Sequence, residues 1–598
     1  MQKKTRAAVL GVVAAAVMAP VPGGARDDPQ GIGVQFAEDP SGVLGTVNLS
    51  GPTHTDGPFF QSLGTNGRSC STCHVAGQAF SFSAAGARER FEQSQGRDPL
   101  FAAVDGANCT TVQPGDPAGH SLVVQNGLIR VGLKLPANAQ YTISVVHDPY
   151  GCAITPDPNG GQPTLSVYRR PLPTTNLVFL STVMFDGRET LAPLNNGQTF
   201  QPNLIADLTH QATDATLIHA QAAQPPTAAQ LAGIVGFEMA LFTAQERDHR
   251  AGQLAAREAH GGPFHLANQA YYPGINDSLG ADPTGKAFDA TAMTLFTPWV
   301  TLPGADDGEP ERRDAARRAI AAGEQLFNSA SLQITNVRGL NDNAALGKPQ
   351  SFVGHCTSCH DTPDVGNHSL PLPLDIGTAH TPLPGMESDP AIGAAVAQLS
   401  MPDLPVYLIS GCPNPFAPGE PESFYTSDPG KALITGQCSD FNRIKGPILR
   451  GLAARAPYFH NGAAANLREV VNFYDQRFGM QLTDEQKSEL VAFLNSLWGA
   501  GGAGMAACGT PPSCSGSRSG DHFVVDEQHD QRADHRHHDA RRMDRGALRR
   551  LVEQARNETP DERPDDAEDS RQNDSHVSGA RVDQLGDRAD DDSDDEHP

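Results

Sequence analysis

Two pentapeptides in this chain set paired thiols beside an imidazole: Cys70-Ser71-Thr72-Cys73-His74 and Cys356-Thr357-Ser358-Cys359-His360. At this spacing both thiols can be joined as thioethers to one porphyrin, and the histidine that follows can reach back to ligate its iron. The rival uses of a Cys-x-x-Cys pair, dithiol redox exchange and half of a zinc site, do not call for a histidine directly after the second cysteine. The expectation is two covalently bound haem c groups. Cys70, Cys73, Cys356 and Cys359 are the attachment points, and His74 and His360 are the proximal iron ligands.

The elements around these motifs must be drawn from 598 residues, enough for two or three domains with linkers. Gly (60) and Pro (47) are abundant, which suits short helices joined by long loops around a porphyrin. Residues 1–30 read as an export signal: Lys3, Lys4 and Arg6, then an apolar run from Ala7 to Val21, then the small residues Gly23-Gly24-Ala25. That run is short for a membrane span, and no later run of about 20 apolar residues follows. The expected mature chain is periplasmic with no stable membrane span. The six cysteines outside the two motifs fall into local pairs, Cys109 with Cys152, Cys412 with Cys438 and Cys508 with Cys514, as disulfides in an oxidising compartment would. The net charge is −25, and no basic patch for nucleic acid is visible.

Residues 31–69 form a Gly-rich lead into the first motif. Alternating runs at Leu128–Leu135 and Tyr141–Val146 predict strands in an insertion at about 94–180. From Leu204 to Gln245 the pattern turns helical, with Ile234, Phe237, Glu238 and Leu241 on a face expected to pack over the first haem. Residues 250–310 read as a polar connection ending in Asp306-Asp307-Gly308-Glu309-Pro310-Glu311. A helix is expected from about Arg312 to Asn328, carrying Gly323 and Phe327. Another is expected over 484–498, capped by Thr483, with Leu490, Phe493, Leu494 and Leu497 as its apolar stripe. Helices so placed around a haem motif resemble a cytochrome c domain. The fold class expected is mainly α: a haem c domain at 31–300 bearing the β-rich insertion, a cytochrome c-like domain at 301–500, and a charged tail at 501–598. The tail's composition predicts disorder, and a weak metal site at His535, His537 and His538 is the lesser reading of a solvated run.

The segment from Lys445 through Ala456-Pro457-Tyr458-Phe459-His460-Asn461-Gly462 to Val470-Val471-Asn472-Phe473-Tyr474 resembles the C-terminal motif of bacterial di-haem cytochrome c peroxidases and of the related protein-oxidising enzyme MauG. Asn66-Gly67-Arg68-Ser69, Phe185-Asp186-Gly187-Arg188 and Phe237-Glu238 resemble the same family in the first half. There are two departures. Phe185 stands where the family has a Trp between its haems, and His210-Gln211-Ala212 stands in place of a distal Glu-Gln-Ala.

The resemblance implies that the His74 haem reacts with hydrogen peroxide and that the His360 haem relays electrons from a small cytochrome, a cupredoxin or a protein substrate. Peroxide cleavage needs a distal group that moves a proton between the two oxygens, and His210, Gln211 and His219 are the candidates. The family's sixth ligand to the second iron falls at Tyr474, with His460, Met401 and Met480 as rivals. A tyrosinate there would lower the potential, whereas a thioether would raise it. The resemblance also implies a Ca²⁺ held partly by backbone carbonyls near the Ala456-Pro457 turn. Other readings are a MauG-like enzyme, a dioxygen-using oxygenase similar to the rubber oxygenases, and an electron carrier without catalysis.

Overall fold

In the computed structural model the Gly-rich stretch after residue 31 is a β-hairpin, Gly33–Asp39 and Gly42–Asn48. The Asp39 carboxylate closes its turn by accepting from the backbone N–H groups of Ser41 and Gly42 at 2.8 and 3.0 Å. The structure describes residues 32–191, 200–303, 309–366, 372–381, 383 and 390–497. The expected export signal, Asp306-Asp307-Gly308, the Cys508–Cys514 pair and the tail with His535, His537 and His538 lie outside the described residues.

The hairpin continues into a four-stranded antiparallel sheet through Leu241–Asp248 and the short Gly252–Gln253. This corrects the helical reading of residues 204–245. Two helices form, Phe200–Ile218 and Ala228–Met239, and the chain then enters a strand at Leu241. The strand's first five residues are buried in the centre of the sheet, where long-range pairing overrides local periodicity.

The mainly α expectation is overturned as a whole. Helices make up about 32% and strands about 18% of the structure, in several antiparallel sheets. Strands form where expected at Ile129–Lys134 and Thr142–His147, but also at Thr164–Arg169, Leu332–Thr335, Ser351–Gly354, Val406–Pro413 and Pro421–Thr426. Thr142–His147 pairs with Val406–Pro413, so residues more than 250 positions apart share one sheet. Tyr407 is buried at that junction, its hydroxyl within donating distance of the carbonyls of Ala153 and Ser166 at 2.8 and 2.7 Å. Disulfides join Cys109 to Cys152 and Cys412 to Cys438.

Around the second motif the helices Glu309–Ser329 and Asp484–Ser496 cross in close contact. Gly323 makes the crossing possible, because a Cβ there would sit 2.0 Å from the Glu489 carbonyl oxygen. Phe327 and Phe493 pack at the crossing with ring centroids 5.3 Å apart. Thr483 caps the second helix by accepting from the Gln486 N–H at 3.2 Å. The 250–310 segment, read as a polar connection, instead contributes Met293, Phe296 and Trp299 to this core.

Candidate haem sites

Each thiol pair lies on a tight 3-10 turn, Cys70–Thr72 and Cys356–Ser358. Within each, the second cysteine and the histidine both donate their backbone N–H to the first cysteine's carbonyl, at 3.2 and 3.0 Å in the first turn and 3.2 and 2.9 Å in the second. The turn therefore brings both thiols and the imidazole to the wall of one cavity. The first cavity, of about 1470 Å³, is lined by Cys70, Cys73 and His74; the second, of about 1650 Å³, by Cys356, Cys359 and His360. These four are the free cysteines among the described residues, all others there being in disulfides.

The donor chemistry fits a haem at each turn. His74 Nδ1 lies 2.9 Å from the Phe80 carbonyl oxygen. A carbonyl only accepts, so Nδ1 carries the proton and Nε2 keeps its lone pair for a metal. Burial pushes His74 down to about 4, so the ring is neutral as an iron ligand requires. His360 is likewise pushed down to about 4 by burial. Its polar neighbour is the Val365 backbone, although Nδ1 makes no full hydrogen bond among the described residues.

Of the three distal candidates, the structure brings two to the first cavity. Gln211 lines it from the Phe200–Ile218 helix and His219 from just beyond that helix's end. His219 Nδ1 pairs with Asp105, whose carboxylate also pairs with Arg68. Burial alone would raise Asp105, but His219 and Arg68 outweigh it and hold the carboxyl below its usual range. His210 is turned elsewhere: it is half-exposed, and its Nδ1 pairs with Glu189 at 2.6 Å. Adjacent helical residues diverge by about 100° around the axis, so His210 and Gln211 cannot share a target.

Glu238 is the residue that sequence reasoning placed on a packing face and within the family resemblance, without a chemical role. It lines the first cavity from the Ala228–Met239 helix at 3% exposure, and its Oε2 has no hydrogen-bond partner among the described residues. Burial pushes its carboxyl up to about 8. The available signal was a lone carboxylate on an otherwise apolar helix face, Gly236-Phe237-Glu238-Met239.

In the second cavity Tyr474, His460 and Met480 all line the wall. Tyr474 is packed among Phe459, Phe473 and Phe478, with centroids 5.7 to 6.3 Å away. Burial, with the cysteines of the turn beside it, raises its hydroxyl well above the usual tyrosine value. His460 is buried, neither of its ring nitrogens makes a full hydrogen bond among the described residues, and its Nε2 lies 3.6 Å from Asp428. Met401 packs instead on the Ile392–Val396 and Phe473 cluster.

The two cavities share a wall. Phe185, Lys445, Arg170, Pro171 and Leu172 line both. Phe185 therefore stands between the two motif sites, its ring 6.0 Å from that of His460 and its carbonyl accepting from the Lys445 N–H at 2.7 Å. Lys445 is buried, which pushes its ammonium down to about 8. With Arg455, half-buried at the second cavity, it would offer positive charge to a porphyrin's carboxylates.

Comparison with known proteins points to haem peroxidases. No family model matches the chain. It is 29% identical over 211 residues to the cytochrome-c peroxidase IdrP1 of Pseudomonas sp. (strain SCT), a match covering 31% of this chain and 50% of that protein. It is 31% identical over 158 residues to the cytochrome-c peroxidase IdrP2 of Denitromonas iodatirespirans, covering 24% and 36%. A match to the cytochrome c551 peroxidase of Nitrosomonas europaea is 35% identical over 71 residues, covering 12% and 21%. The chain thus spans half or less of the length of these relatives. All are named as peroxidases, which are oxidoreductase enzymes. Among the described residues no helix is long and apolar enough to cross a membrane.

Proposed function

We propose that this chain is an exported di-haem c oxidoreductase that reduces hydrogen peroxide at the His74 site with electrons entering through the His360 site. The observation that carries this reading is the pair of Cys-x-x-Cys-His turns, each opening on its own cavity, with Phe185 and Lys445 in the wall between them. The haem held by Cys70, Cys73 and His74 supplies an iron position for peroxide, and the one held by Cys356, Cys359 and His360 supplies a one-electron relay. Glu238 is the proton-moving group: a carboxyl raised to about 8 is protonated at neutral pH and can deliver its proton to a leaving oxygen. Gln211 and His219 orient the bound peroxide, and the Asp105–Arg68 pair holds His219 in place. The Phe185 ring fills the space between the two sites and keeps water from it. The electron donor is a small cytochrome or cupredoxin, and the location is the periplasm, as the signal-like residues 1–30 imply.

Tyr474 favours a second reading. As sixth ligand at the His360 site, a hard anionic oxygen would suit an enzyme that stores oxidising equivalents and draws electrons from a protein substrate. Tyr474→Phe is expected to shift the low-spin spectrum of that site; an unchanged spectrum removes the assignment.

Mass analysis of the denatured protein, followed by peroxide titration of the purified holoprotein, tests the whole proposal. The expected result is a mass increase for two macrocycles and a high-spin ferric signal that disappears on adding peroxide. Two low-spin centres inert to peroxide would leave an electron carrier, and a stable dioxygen adduct would point to an oxygenase.

A further inference from the structure

Arg170 directly follows the strand Thr164–Arg169 and is buried. Among the described residues no carboxylate pairs with its guanidinium. The group is surrounded instead by main-chain oxygens. Nη1 donates to the carbonyls of Asn126 and Gly127 at 3.2 and 2.8 Å, and Nη2 to those of Phe82 and Arg455 at 2.5 Å each. A guanidinium carries five N–H donors, four of them on the two Nη atoms. All four are spent on carbonyls, which leaves only Nε for any other partner.

Carbonyl oxygens from three separate segments thus converge on one positive charge, the arrangement a Ca²⁺ site uses. One of them, Arg455 O, immediately precedes the Ala456-Pro457 turn, where the resemblance leads one to expect Ca²⁺. The Ala456 carbonyl is also taken, accepting from the Ala84 N–H at 3.1 Å. The cradle is shaped for the guanidinium. Gly127 has φ of +59°, and a Cβ on it would fall 1.7 Å from Arg170 Nη1. The Phe82 ring lies against the guanidinium carbon, 5.7 Å from centroid to Cζ. The residues therefore do not fit a bound Ca²⁺: the oxygens are engaged, and a fixed cation would repel a divalent one.

We propose that Arg170 is a built-in cation occupying the place of Ca²⁺ between the two haem sites, so that this protein is Ca²⁺-independent. It is a positioning residue. Its side chain ties residues 82 and 126–127 to residue 455, its backbone N–H donates to the His460 carbonyl at 2.6 Å, and it lines both cavities.

The test uses the holoprotein. After EGTA treatment and readdition of Ca²⁺, the wild type is expected to retain no Ca²⁺ and to keep its unfolding midpoint and peroxide turnover. One tightly held Ca²⁺ per chain would overturn the proposal. Arg170→Ala opens the carbonyl cluster. Turnover is expected to fall about 10–100-fold and the unfolding midpoint to drop, both recovering with Ca²⁺ but not with Mg²⁺, which gives up its waters reluctantly. A variant indistinguishable from wild type, or one damaged with no response to Ca²⁺, would overturn it. Should that variant not fold, Arg170→Lys keeps the charge with three donors and is expected to remain insensitive to Ca²⁺; sensitivity would overturn the proposal. The turnover arm rests on the peroxidase reading. The metal-binding arm does not, so the two can fail separately.

Discussion

Glu238 shows how one side chain's surroundings set its chemistry. An exposed glutamate ionises near 4.3, but this one is buried in a cavity wall with one oxygen unpartnered among the described residues, and it stays protonated to about 8. Glu238→Gln is expected to lower peroxide turnover by about 10²–10⁴-fold with covalent haem content unchanged, measured by steady-state assay beside the pyridine haemochrome spectrum. The pH dependence follows from the same raised value. Proton delivery is available below about 8 and is lost as pH rises through it, so wild-type turnover should fall on the alkaline side. The residual activity of the glutamine variant should lack that limb. A variant with wild-type turnover would move the proton-shuttling role to His219.

At the scale of elements, two contacts decide how the pieces are held. The crossing of Glu309–Ser329 with Asp484–Ser496 leaves no room at Gly323. Gly323→Ala should cost about 1–3 kcal/mol, read as a shift in the denaturant midpoint. The second contact is the buried ion network in which Arg169, at the end of its strand, binds Asp186 at 2.5 Å and Asp428 at 2.7 Å. Burial alone would raise Asp186, but Arg169 and Arg188 outweigh it and bring the carboxyl down to about 2. A lowered carboxyl stabilises the fold above its unfolded value near 3.9 and loses that contribution as pH falls through the folded value. Asp186 alone should therefore withdraw about 2 kcal/mol of stability between pH 4 and pH 2. Equilibrium unfolding at pH 5 and pH 2.5 checks this, and Asp186→Asn should show a smaller acid-dependent loss.

At the scale of the whole molecule, the two motif sites are joined by more than the wall between their cavities. The strand Thr142–His147 lies beside Val406–Pro413, and Arg169 reaches Asp428. The Cys412–Cys438 disulfide lies within the same cluster as Tyr141, Tyr407 and Phe441. Replacing both cysteines by serine should cost about 2–4 kcal/mol in thermal unfolding. Because the sheet joins residues more than 250 positions apart, both haem spectra are expected to change in a single unfolding transition. Two separated transitions would mean that the halves are held independently.

The parts of this protein that could be read along the chain are those written in short spacings. Thiols three apart with a histidine next, and a threonine at a helix start, each record a local geometry that neighbouring residues enforce. The haem turns and the Thr483 cap follow from such patterns, whereas Gly323 acquires its role only from Glu489, far along the chain. Strand partners are different, because Leu241–Asp248 and Val406–Pro413 each take one of their two neighbours from residues some 200 or more positions away. The same holds for Glu238 and Arg170. A glutamate becomes a proton donor, and an arginine a substitute for a metal ion, only when folding removes water and brings distant carbonyls and cavity walls around them. That desolvation is a sum over long-range contacts, and no local window of residues contains it.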